Sequence, residues 1–314
     1  MMKAIACYGL TKRFDRYKAV NDVHLEIAEG EVYGLIGPNG AGKTTLIRML
    51  VAAEEPTTGE IYLKGELLQR DDHNAQLKQQ IGYLPDDFPL YEDLSVWDYL
   101  DYFARLYHLR QPQRRRRLQE VLELIQLTSK RHSAIATLSR GMKQRLSLAR
   151  TIIHEPSVLF LDEPVSGLDP IARKQFREII KVLQQAGMTI LISSHVLSDL
   201  AELCTSVGIM ELGYLVESAS LSELYQRLAR QQIIVSTLGD LDELKLQLRQ
   251  NSLVEEWEIL PPPGTLKVYF SGTANDSAEL LRSLITAELP ISNFQCTNED
   301  LETIFLKLGH KQAS

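Results

Sequence analysis

The sequence predicts an α/β chain that continues into a smaller α+β unit, and three observations predict it. A short apolar run, Val32-Tyr33-Gly34-Leu35-Ile36, feeds a glycine-rich turn, Gly37-Pro38-Asn39-Gly40; after it, Lys43 to Val51 carries Leu46, Ile47, Met49 and Leu50 at helix-compatible spacing. Two further apolar runs, Val158–Leu161 and Thr189–Ile192, each end in polar residues, and ligands gather at that end of strands in open α/β sheets. After about Leu221 the pattern becomes strand, helix, strand, strand, helix, strand, which is the ferredoxin-like order. At about 150 residues per domain, 314 residues make roughly two domains, placed at 1–220 and 221–314.

Between the glycine-rich turn and Val158 lies a mostly helical stretch, Ser95 to Leu127, with Leu94, Val96, Leu100, Phe103, Leu106, Val121, Leu122 and Ile125 supplying apolar faces. It reads as a helical subdomain, at about 90–150, inserted in the α/β core. In the second unit, strands are expected at 233–235, 254–260, 266–270 and 291–296, with helices at 241–248 and 277–284. Alternation of Leu266, Val268 and Phe270 gives one half-buried face, and Pro261-Pro262-Pro263-Gly264 is a turn between strands. A last helix is expected over Leu301 to Leu308.

Composition narrows the function classes. Thirty-four basic against 41 acidic side chains leave a net charge of −7, the wrong sign for a general affinity for nucleic acid. The three cysteines, Cys7, Cys204 and Cys296, have no CxxC spacing, so neither a disulfide framework nor a zinc site is expected and a reducing cytoplasm fits. No apolar run approaches the ~20 residues that cross a bilayer, and no secretory segment opens the chain.

Gly37 to Thr44, with Ala41, Gly42 and Lys43 between, fits GxxxxGK[ST], placed between strand and helix as a phosphate-binding loop requires. Backbone N–H groups of such a loop close around phosphates, Lys43 reaches the β- and γ-phosphates, and Thr44 coordinates Mg²⁺, with Thr45 beside it. Asp162 and Glu163 end an apolar strand. Alone, such a pair most often caps a helix or sits in a solvated turn, but beside a phosphate loop the first fits a Mg²⁺ partner and the second a base for an attacking water. Leu138-Ser139-Arg140-Gly141-Met142 precedes an amphipathic helix, so Ser139 reads as an N-cap and the turn as a second anion-binding end.

Together these motifs resemble the ATP-binding cassette (ABC) ATPases, the nucleotide-binding subunits of ABC transporters, over roughly residues 3 to 220. The resemblance implies a P-loop NTPase fold with a RecA-like core and helical subdomain, ATP and Mg²⁺ as ligands, and hydrolysis coupled to transport. It makes Leu138 to Met142 the signature motif, in which Ser139 and Gly141, with Arg140 and Met142 around them, meet the γ-phosphate of ATP held by a second subunit. Asp162 matches the Walker B aspartate, Glu163 the catalytic glutamate, and Ser166 to Asp169 the D-loop that passes between subunits. His195 matches the switch histidine, a role invisible without the family, since it otherwise reads as an ordinary strand-end histidine. Phe14 matches the aromatic that stacks on adenine, with Val20 nearby.

Two departures stand out. The family's usual Gln after Gly82-Tyr83-Leu84-Pro85 is Asp86, which keeps an oxygen ligand for metal or nucleotide but adds charge, and Arg140 and Met142 replace the signature's usual Gly and Gln. With the C-terminal unit, these resemble the branch serving ABC-2-type exporters. The implied partners are a transmembrane permease and a second copy of the chain or a related ATPase subunit, at the cytoplasmic face of the membrane, with no nucleic acid. The alternative is a soluble ABC-type ATPase acting on ribosomes or nucleic acid; a non-hydrolysing cassette conflicts with Glu163 and His195. Arg114 to Arg117 reads as a solvated helical face, and Cys204, Trp97 and Tyr102 as packing residues.

Overall fold

The computed structural model describes residues 3–69, 74–196, 200, 202–228 and 231–298. Two compact units emerge, Met1–Leu221 and Ser222–Ser314.

The first unit holds two sheets. Long strands β1 (Lys3–Phe14) and β2 (Tyr17–Ala28) form a hairpin that continues through β4 (Thr58–Leu63) and β5 (Glu66–Leu67) as an antiparallel sheet in the order β2-β1-β4-β5. The second sheet runs β10-β9-β3-β8-β7-β6, from β3 (Val32–Ile36), β6 (Ile81–Leu84), β7 (Val158–Leu161), β8 (Thr189–Ser194), β9 (Ser206–Glu211) and β10 (Tyr214–Ser220). Its strands pair in parallel except β10, which is antiparallel to β9. Every residue of β3, β7 and β8 is buried, because a parallel strand covered on both faces needs an unbroken apolar run instead of an alternating one.

Helix α1 (Lys43–Leu50) lies between the sheets. Its Leu46, Ile47, Met49 and Leu50 join one core with Ile5, Leu25 and Ile61 of the antiparallel sheet and Leu35 and Phe160 of the parallel one. Four such side chains contribute roughly 2 kcal/mol each by leaving water, enough to fix where the helix starts relative to both sheets. A single helical turn, α2 (Ala75–Lys78), leads to β6.

Helices α3 (Val96–Leu106), α4 (Gln113–Leu124) and α5 (Arg140–Ile152) are inserted between β6 and β7. Ser95 caps α3 by accepting the Asp98 N–H (3.1 Å). The arginine run on α4 is not a uniformly solvated face. Arg117 turns inward, donating to the carbonyls of Ile152 (2.8 Å) and Ile153 (3.2 Å) and so closing the end of α5, while Arg114 pairs with Asp101 at 2.8 Å. A period of 3.6 sends residues three apart to one side, which a four-residue run of like charge conceals. Helix α6 (Pro170–Gln185) joins β7 to β8, starting with Asp169 as cap and proline in its first turn.

Past the helix α7 (Leu221–Leu228), the second unit is β11 (Gln231–Thr237), α8 (Leu241–Arg249), β12 (Val254–Leu260), β13 (Thr265–Phe270), α9 (Ala274–Thr286) and β14 (Ile291–Asn298). The sheet order is β12-β13-β11-β14, antiparallel throughout, the topology of a ferredoxin-like unit. Ile233, Val235, Leu266, Val268 and Phe270 from the strands pack on Leu244, Leu248, Leu280 and Leu284 from the helices. The helix expected over 301–308 lies outside the described residues. Cys7 and Cys204 are buried, desolvation pushing the Cys7 thiol up to about 12, and Cys296 is exposed. Among the described residues no helix is long and apolar enough to cross a membrane.

Candidate functional site

The carboxyl end of β3 opens into the turn Gly37 to Gly42, and α1 begins at Lys43. Gly42 occupies the N-cap with φ +104, supplies no side-chain cap, and no acidic residue follows in the first turn. A Cβ there would stand 2.3 Å from the Ala19 carbonyl oxygen, so only glycine lets the turn sit on β2. The first N–H groups of α1 are thus claimed by no side chain of their own turn, the arrangement that favours an anion. They border a cleft of about 290 Å³ lined by Tyr17, Ala19, Asn39 to Thr45, Asp86 and Glu163. Lys43 is buried there, its Nζ donating to the carbonyls of Gly37 (2.6 Å) and Pro38 (3.2 Å).

The ends of β7 and β8 supply the other wall. Ser193 Oγ donates to Asp162 Oδ1 (2.6 Å) and accepts the Glu163 N–H (2.9 Å), so one hydroxyl fixes both acidic residues. Asp162 is fully buried, and its second oxygen, Oδ2, has no hydrogen-bond partner. A buried carboxylate oxygen without a donor is costly unless a cation meets it. Glu163 takes a left-handed backbone, φ +48, which a residue with a Cβ adopts only at a cost. Its Oε2 meets His195 Nδ1 at 2.7 Å and accepts the His195 N–H at 3.3 Å. Since a carboxylate can only accept, Nδ1 is the protonated donor in this contact. Glu163 Oε1 lies 3.3 Å from Lys43 Nζ, an ion pair without hydrogen-bond alignment.

Asp86 stands on the exposed lip of the same cleft. Desolvation raises its pKa, the charges of Asp162, Glu163 and Asp87 push it the same way, and Arg140 opposes them. A polyphosphate brought to so acidic a wall needs a cation with it. Thr44, on the exposed start of α1, and the orphaned Asp162 Oδ2 are oxygen donors of the kind Mg²⁺ takes. Among the described residues no group of three His, Cys, Asp or Glu could hold a metal alone, so a cation here would share phosphate oxygens, as Mg²⁺ ordinarily does.

The signature segment does not line this cleft. Ser139 caps α5, its Oγ accepting the Met142 N–H at 3.3 Å. Gly141 faces α6 so closely that a Cβ would come 2.7 Å from Ala172 Cβ, which is a packing reason for glycine within the motif. Asp169 is occupied too, capping α6 through the Ala172 N–H at 2.9 Å. At the hairpin end, Phe14 is half-exposed beneath the Lys12 ammonium, 5.0 Å from the ring centre. Val20, expected beside adenine, is fully buried in the core, because a register shift in the β1–β2 pairing at Asp22 (φ +51) brings it to the same side as Val23, Leu25 and Ile27. Tyr17, opposite Phe14 in the hairpin and unforeseen from sequence, lines the cleft, with its hydroxyl 3.5 Å from the Gly40 carbonyl. Ser193 was likewise unforeseen; only its position at a strand end beside His195 hinted at it.

Residues 20–166 match the family described as ABC transporter. Over 311 residues the chain is 32% identical to the bacitracin transport ATP-binding protein BcrA of Enterococcus faecalis, spanning 98% of this chain and 97% of that one. It is 30% identical over 302 residues to the linearmycin resistance ATP-binding protein LnrL of Bacillus subtilis (strain 168), spanning 96% of each. A solved structure of an ATP binding subunit of an ABC transporter superposes with a TM-score of 0.64 at 29% identity, over 78% of this chain and 99% of that one.

Proposed function

The chain belongs to the ABC transporter family as an ATP-binding, ATP-hydrolysing subunit, and from that premise we propose that the cleft at the start of α1 holds ATP·Mg²⁺ with Glu163 as the base. The observation that carries the reading is the fixing of the Glu163 carboxylate between Lys43 and His195 on the cleft wall. The N–H groups from Asn39 to Thr45 and the Lys43 ammonium bind the β- and γ-phosphates. Thr44, Asp162 and, through its oxygen on the lip, Asp86 would hold Mg²⁺, which when bound neutralises charge on the phosphates. Glu163 takes a proton from the attacking water as oxygen bonds to the γ-phosphorus and the bond to the bridging β–γ oxygen breaks, leaving ADP and phosphate. His195 keeps the base oriented through Nδ1–H, and in its imidazolium form donates Nε2–H to the γ-phosphate. Phe14, with Tyr17 facing it, provides the aromatic surface for adenine.

A second copy of the chain, or a related subunit, brings Ser139 and Gly141 to the γ-phosphate head to tail; the signature's absence from its own chain's cleft supports this. The unit docks through a separate permease on the cytoplasmic face of the membrane, and the names of relatives in antibiotic transport and resistance favour export. They weigh against action on ribosomes or nucleic acid. The test is affinity capture of tagged Glu163→Gln chain with ATP·Mg²⁺ from detergent-solubilised host membranes. A multi-span membrane protein in the eluate is the expected result; ribosomal proteins, nucleic acid or the chain alone would overturn the transporter assignment.

A further inference from the structure

We propose that Arg140 is a positioning residue that ties the signature turn to the Ser166–Leu168 loop within one chain, and through that loop holds the backbone of Glu163. Its Nη2 donates to the Ser166 carbonyl at 3.1 Å. Nη2, Cζ and Nη1 all stand 2.5 to 2.6 Å from where a Cβ on Gly167 would be, so the guanidinium lies flat against a glycine held at φ +66. The N–H of Ser166 in turn donates to the Glu163 carbonyl at 3.1 Å. One residue, Ser166, therefore has its carbonyl taken by the signature and its N–H by the base.

The contact belongs to a closed ring. From Gly167 the chain runs to Asp169, whose carboxylate caps α6 at Ala172, and Ala172 packs on Gly141, the neighbour of Arg140. Both close approaches, at Gly141 and at Gly167, need glycine, and the arginine between them fills the space that the second one leaves. A glycine in place of Arg140 could neither reach the Ser166 carbonyl nor fill the space over Gly167. The side chain that stands before Gly141, where the family's signature usually has another glycine, is thus spent on its own subunit rather than on nucleotide.

The catalytic consequence rests on the reading of Glu163 above, and the test separates the two. Amide exchange of residues 165–168 in the full chain without nucleotide is expected to speed up roughly fivefold in Arg140→Gly, the factor supplied by one net hydrogen bond, while the unfolding temperature stays close to wild type. With ATP·Mg²⁺, kcat should fall several-fold, on the order of tenfold at most, with KM for ATP unchanged, and Arg140→Lys should restore part of kcat because an ammonium still reaches the Ser166 carbonyl. Unchanged exchange in the nucleotide-free chain, or a rise in KM at constant kcat, would overturn the proposal and make Arg140 a nucleotide contact. Faster loop exchange in a chain whose hydrolysis ignores Glu163→Gln would leave the tie standing and remove the base assignment.

Discussion

Helices α1 and α5 both begin at turns that the sequence marks as anion-binding ends, yet they begin on different terms. The start of α1 has glycine in a left-handed conformation, no side-chain cap, and a cleft closed by Lys43 and Glu163 in front of it. The start of α5 has Ser139 in extended backbone, its hydroxyl already bonded to the Met142 N–H, on an exposed surface. The first is built and left open by its own chain; the second is locally satisfied and gains a further role only through something outside the chain. An N-terminal cap and a ligand compete for the same N–H groups, so how a helix start is capped tells which kind of end it is.

That contrast can be broken by experiment, and the largest effect is expected on the α1 side. Glu163→Gln should lower steady-state ATP hydrolysis roughly 10²-fold or more while nucleotide still binds, measured by phosphate release and by equilibrium binding. A loss of only a fewfold would mean that the wall opposite Lys43 does not carry the base. Gly42→Ala comes next. Its Cβ would press on the Ala19 backbone in a conformation that disfavours side chains, so ATP affinity should drop on the order of tenfold or more by titration. Affinity equal to wild type would remove the turn's geometry from the explanation.

On the α5 side the expected changes are in stability rather than affinity. Ser139→Ala removes a cap, and should cost about 1 kcal/mol and about 2–4 °C of unfolding temperature, with ATP binding to the isolated chain untouched. Weakened binding in a monomer would show that the two helix starts are not separate after all. The smallest effect is at Asp86, which lines the cleft in front of α1 and feels the charge of Arg140 at the start of α5. Its pKa is raised above the ordinary 3.8, so the folded chain favours the neutral carboxyl. That advantage is fully present below the unfolded pKa and is lost as pH rises through the folded one. Asp86→Asn should therefore raise the unfolding temperature slightly at pH 7, and the gain should shrink toward pH 4; a gain that grows on acidification would reverse the sign of the assigned environment.

Much of this was legible in sequence because it is local. The run from Val32 through Thr44 spells strand, turn and helix in adjacent residues, and β3, β7 and β8 announce themselves by unbroken apolar runs. In the second unit, Leu266, Val268 and Phe270 alternate as a half-buried strand must, and the structure has β13 there. What sequence hid depends on pairing between distant segments. Ser193 reaches Asp162 only because β7 and β8 run in parallel with Leu161 opposite Ile192. Tyr17 faces the cleft because the hairpin brings β2 over the glycine-rich turn, and the split of the arginine run follows from where α4 meets the end of α5. Strands β9 and β10 are hidden for the same reason: β9 is fixed by its pairing with β3, far away in sequence, and β10 by its pairing with β9.

The Ser193 hydroxyl has a consequence for speed. It has one proton, spent on Asp162, and its lone pair holds the Glu163 peptide, so the two acidic residues share a single joint. Any change in what the Asp162 carboxylate binds reaches the neighbouring peptide through the rotation of one hydroxyl, an event of picoseconds to nanoseconds, with no strand or helix displaced. A change at the Asp162 carboxylate thus reaches Glu163 long before any collective motion of strands or helices, on the microsecond-to-millisecond scale, can begin.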